Sequence, residues 1–150
     1  MNPQRVTLIT LGVRDMAKSR AFYAALGWQP VPHEGPGVTF YRMDGMALSL
    51  FGLADLAKDQ GRPGADLGAG AVTLAQNFSD DASVDQAYEA ALAAGATGLK
   101  PPQKVFWGGY SGYSGYSGYY ADPDGHVWEL AHNPFWHLDE SGRLTIPAVS

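Results

Sequence analysis

A chain of 150 residues with 45% hydrophobic content is long enough for one domain that buries about two-thirds of its unfolded surface. Its formal net charge of −5, with no Lys/Arg cluster, argues against nucleic-acid and anionic-membrane partners, and the lack of cysteine excludes disulfides, thiolate nucleophiles and thiolate metal sites. No apolar run approaches the about 20 residues of a membrane span, and residues 1–8 lack the basic start and apolar run of a signal peptide, so a cytoplasmic location is expected.

Residues 6–13 are apolar and β-branched and predict a strand. Asp15 stands at an N-cap position, and Met16, Ala17, Phe22, Tyr23, Ala25 and Leu26 recur at helical spacing until Gly27. Strands are expected at 28–31, 38–43 and 46–51, with a Gly/Pro-rich loop at 33–37 and a tight turn at Asp44-Gly45. Residues 53–60 fit a short helix, and the glycines of 61–70 a linker.

The order then repeats. Residues 71–77 predict a strand, and Ser79 or Asp80 caps a helix through Val84, Ala87, Tyr88, Ala91 and Leu92 that Gly95 ends. A short strand at 97–100 is broken by Pro101-Pro102. The last hairpin turns at Asp122-Pro123-Asp124-Gly125, where proline fixes φ, the aspartates can accept from nearby amides and glycine tolerates positive φ. Its second arm alternates, so Trp128 and Leu130 share one face and Glu129 takes the other. Both halves read β-α-β-β-β, which predicts an α+β domain of two modules, about 1–62 and 68–133, with pseudo-two-fold symmetry and a tail at 134–150.

Between Trp107 and Tyr119 the chain runs Gly-Gly and then three Tyr-Ser-Gly units, Tyr110 to Gly118. A three-residue period matches neither strand alternation nor a helix, so the segment is expected to be an extended loop. It is either tolerated expansion or an aromatic flap or pairing edge.

Gly12-Val13-Arg14-Asp15, the run from Ser19 to Trp28, the helix end Ala93-Ala94-Gly95-Ala96 and the stretch from Ala121 to Leu130 together resemble the vicinal oxygen chelate superfamily, which holds glyoxalase I, bleomycin-resistance proteins and extradiol dioxygenases. The resemblance covers nearly the whole chain. It implies paired βαβββ modules whose curved mixed sheets enclose a small-molecule cleft, usually in a homodimer.

In metal-dependent members the first and last strands of each module each supply one ligand. By motif those positions are Leu8, Ser49, Ala71 and Glu129. Leucine and alanine cannot ligate and serine is a poor donor, so neither a metal nor another cofactor is expected. A one-residue register error would substitute Thr7, Thr10 or Thr73, and hydroxyls alone would not restore the site.

Alternation directs Leu8, Thr10, Ala47, Ser49, Phe51, Ala71, Thr73, Ala75, Asn77 and Glu129 toward the cleft, with Ile9, Leu11, Leu48, Leu50, Val72, Leu74, Trp128 and Leu130 beneath the helices. Thr10, Ser49, Phe51, Thr73, Asn77, Trp107 and Tyr110 are the candidate ligand-binding residues, and Glu129 the candidate catalytic one. Two functions remain open. One is a binding protein for an aromatic or amphipathic small molecule. The other is a metal-independent lyase or isomerase with Glu129 as general base, against which stands a Glu129 that is a hydrogen-bonded remnant. Packing or exposure is expected for His132 and His137, although either could reach the cleft mouth, and His126 belongs to the turn.

Overall fold

The computed structural model describes residues 2–33, 37–105 and 115–147. It is a mixed α+β fold with two open, curved sheets. The chain divides into two compact units, Met1–Ala69 and Gly70–Ser150.

In the first unit, β1 (Leu8–Val13) lies parallel to β3 (Met46–Gly52), which pairs antiparallel with β2 (Val38–Met43), giving the order β1-β3-β2. Helix α1 (Met16–Ala25) starts where Asp15 accepts a hydrogen bond from the Lys18 amide at 3.1 Å. It ends at Gly27, whose φ of 93° few other residues adopt. Its buried residues are Ser19, Phe22 and Tyr23, while Ala17 and Ala25 are exposed, so the apolar stripe is narrower than the spacing suggests. Tyr23 stacks on Trp28 and meets Tyr41 at 6.0 Å, and this aromatic group with Leu48 and Leu50 forms the core beneath α1. Helix α2 (Leu53–Asp59) follows β3 directly.

The strand expected at 28–31 does not form. Val31 donates a backbone hydrogen bond to the Phe40 carbonyl at 2.7 Å, as an edge strand beside β2 would. Pro30 and Pro32, however, hold φ near about −65°, closer to polyproline II than to a pleated ladder.

The second unit orders its strands β4-β7-β6-β5: β4 (Thr73–Asn77), β5 (Thr97–Val105), β6 (Gly115–Ala121) and β7 (Val127–His132). Its first and last strands are parallel neighbours, as in the first unit. Helix α3 (Asp81–Ala93) is capped by Asp80, which accepts from the Ser83 amide at 2.7 Å, and it buries Val84, Tyr88 and Ala91 against Trp128, Leu130 and the fully buried Tyr120.

Three local expectations change here. The sheet begins at Thr73 rather than 71, because the chain still bends at residues 70–72, with Gly70 at φ 99°; Val72 is 68% exposed instead of packing under a helix. Pro101-Pro102 does not end the strand. β5 lies at the sheet edge, where missing amide donors are tolerated, and absorbs the pair through register shifts between Gly98 and Lys100 and between Lys100 and Gln103. Finally, the last Tyr-Ser-Gly unit is not loop but β6. A period of three on a pleat of two sends Tyr116 and Tyr119 to opposite faces, and Gly118 is needed because a Cβ there would lie 2.8 Å from the Pro102 nitrogen.

Candidate functional site

Within the first unit, Thr10 and Ser49 are in register on neighbouring strands and their hydroxyls are 2.7 Å apart. Alternation places both, with Phe51, on the sheet face away from α1, as the sequence pattern predicts. Ser49 is 1% exposed, so its hydroxyl depends on this partner, whereas Leu8 at the strand start is 45% exposed. Gly12 continues the same face. A Cβ there would stand 2.5 Å from a Leu53 methyl and 3.3 Å from one of Leu56, so glycine is what lets α2 lie over that end of the face.

In the second unit β7 is flanked by β4 and β6, and Glu129 stands between Ala75 and Tyr119. This row occupies the face away from α3. Burial, then the Glu129 charge and a hydrogen bond to it, push the Tyr119 phenol above its ordinary pKa. The phenol and the half-buried carboxylate are thus neighbours close enough to interact. Thr73 and Asn77 lie one pleat to either side on the same face, Thr73 exposed and Asn77 half-buried. Trp107 and Tyr110 lie outside the described residues.

Sequence reasoning placed Glu129 but missed Tyr119. The signal was available: a turn of residues 122–126 pairs Ala121 with Val127, and counting back two on each arm brings Tyr119 to Glu129.

The histidines go elsewhere. The His132 ring nitrogen Nδ1 lies 2.8 Å from Asp81 on α3, and its cross-strand partner Tyr116 donates to Asp85 at 2.8 Å. Two aspartates one helical turn apart thereby tie α3 to the ends of β6 and β7, on the face opposite Glu129. Asp122 organises the hairpin turn by accepting from the amides of Asp124 and His126, both at 2.9 Å.

Among the described residues no three His, Cys, Asp or Glu side chains form a group able to hold a metal ion. On the first strand of each unit the residues in register with Ser49 and Glu129 are Thr10 and Ala75, and Ala71 precedes β4. With either register, one carboxylate and hydroxyls already paired do not fit a divalent ion. Two surface depressions are described elsewhere, one of about 630 Å³ beside Arg20 and His33 and one of about 360 Å³ between Phe135 and Pro147 in the tail. Among the described residues no helix is long and apolar enough to cross a membrane.

The family model described as Glyoxalase/Bleomycin resistance protein/Dioxygenase superfamily matches residues 5–130. A glyoxalase-related enzyme from Fulvimarina pelagi is similar at 35% identity and a TM-score of 0.85, over 97% of this chain and 100% of that one. A glyoxalase/bleomycin resistance protein/dioxygenase from Nocardioides (24% identity, TM-score 0.69, 88% and 85% covered) and a lactoylglutathione lyase from Agrobacterium tumefaciens (22%, 0.63, 87% and 95%) share the fold. No curated protein matches the chain.

Proposed function

The chain belongs to the glyoxalase/bleomycin resistance/dioxygenase superfamily, and we propose that within it the protein binds a small organic molecule by direct contact with side chains rather than through a metal ion. The observation that carries this reading is the Tyr119–Glu129 pair: the one carboxylate at a superfamily ligand position has a phenol as its partner. A carboxylate holds about four acceptor sites, which leaves Glu129, beside Tyr119, able to take hydrogen bonds from an amphipathic ligand. Thr73 and Asn77 are the proposed contacts beside Glu129 in the second unit; Thr10, Ser49 and Phe51, on the first unit's own sheet face, and Trp107 and Tyr110 are the further proposed ligand-binding residues. A cytoplasmic homodimer is the proposed working form, and the net charge of −5 disfavours nucleic acid.

Glu129 as general base is the second reading, favoured by the same pair, since a phenol donor would hold the carboxylate's orientation during proton transfer. A thermal-shift screen of amphipathic aromatic compounds separates the outcomes. The proposal expects binders whose affinity falls about tenfold in Glu129→Gln, the loss of hydrogen bonds to a charged group. Binders indifferent to that change would overturn it. A compound that is also converted, with turnover lost and binding kept in Glu129→Gln, favours the base.

A further inference from the structure

The depression of about 630 Å³ in the first unit is lined by α1, β2 and the Pro30-Val31-Pro32 segment, not by Thr10, Ser49 or Phe51, and lies within the volume range of small-molecule sites. Its polar side chains are Arg20 on α1, His33 after the Pro30-Val31-Pro32 segment, and Thr39 on β2. Among the described residues no carboxylate lines it, and Arg20 makes no ion pair. We propose that this depression binds a small organic carboxylate with an apolar body.

One wall is set before any ligand arrives. Prolines 30 and 32 restrict their φ angles, the Val31 amide is held to the Phe40 carbonyl at 2.7 Å, and the His33 ring sits edge-on to Phe40 at 5.3 Å. Little ordering is therefore left for binding to supply. Thr39 also lines the depression, 5% exposed, with its hydroxyl donating to the Met16 sulfur.

The chemistry selects the ligand. A guanidinium fork matches a carboxylate in two parallel hydrogen bonds, and an imidazole N–H adds a donor. Pro30, Val31 and Val38 offer apolar surface to a hydrocarbon or aromatic body but nothing to an inorganic anion.

The test is a titration of the full chain with sodium benzoate, followed by backbone amide NMR. Saturable shifts at Arg20, Val31, His33 and Val38 are expected, with benzamide and inorganic phosphate each at least about tenfold weaker. Arg20→Gln should weaken benzoate about tenfold and His33→Gln about threefold, while Lys58→Gln, an exposed charge on α2, should bind as the parent does. The proposal is overturned if benzoate fails to saturate by about 10 mM, if the shifts map elsewhere, if benzamide binds equally, or if Lys58→Gln weakens binding as much as Arg20→Gln.

Discussion

Tyr119 and Glu129 face each other across β6 and β7 on the sheet face away from α3, where burial and then the Glu129 charge raise the phenol above its ordinary pKa. The pair is partly open to solvent, so its worth to stability is small. Tyr119→Phe should cost no more than about 1 kcal/mol in denaturant unfolding, yet weaken ligands that contact Glu129. A loss of several kcal/mol would recast the pair as structural.

Alkaline pH should loosen the fold. Tyr120 is pushed well above its ordinary value by burial and by the Asp122 charge, and Tyr119 and Tyr41 are raised mainly by burial. A phenol whose folded pKa exceeds its unfolded one binds more protons when native. Its contribution is complete below the unfolded value of about 10 and is lost as pH rises through the folded one. Unfolding curves from pH 8 to pH 11 should show falling stability, and Tyr120→Phe should flatten that slope more than Tyr119→Phe does. An unchanged slope in Tyr120→Phe would contradict the assignment.

The Thr10–Ser49 hydroxyl pair should couple. Thr10→Val leaves a buried Ser49 hydroxyl unpaired and should cost about 1 to 3 kcal/mol. Adding Ser49→Ala should recover part of it, giving a coupling of about 1 kcal/mol in a double-mutant cycle. Strict additivity would mean that the two hydroxyls do not depend on each other.

Two glycine substitutions should differ in whether they can be rescued. In Gly12→Ala the new methyl meets the tip of Leu53, so a cost of about 1 to 3 kcal/mol should be relieved by Leu53→Ala. In Gly118→Ala it meets the Pro102 nitrogen at 2.8 Å and the Lys100 carbonyl at 3.0 Å, backbone that no side-chain change removes. Thermal melts should rank Gly118→Ala as the more damaging.

Features set by a few adjacent residues were readable from sequence. Asp15 and Asp80 cap their helices, and Gly27, Gly95 and Gly125 take the positive φ that ends or turns the chain. Faces were also readable, because alternation is local: Thr10, Ser49 and Phe51 share one, and Thr73, Asn77 and Glu129 another. What escaped depends on partners distant in the chain. Tyr119 becomes a partner of Glu129 through register, and Pro101-Pro102 is tolerated because β5 turned out to be an edge. His132 meets Asp81, a pairing 51 residues apart in sequence that no local pattern announces. The last Tyr-Ser-Gly unit is strand rather than loop because the ladder of β7 draws Tyr116 and Tyr119 into it, a long-range cause that its three-residue period does not show.

Metal content tests the central claim most directly. The purified chain, equilibrated with zinc, manganese, iron(II) and nickel salts and then freed of unbound ion, should retain well under one ion per chain, because Glu129 has a phenol and an alanine beside it rather than further donors. One tightly held ion per chain, lost in Glu129→Gln, would contradict the account.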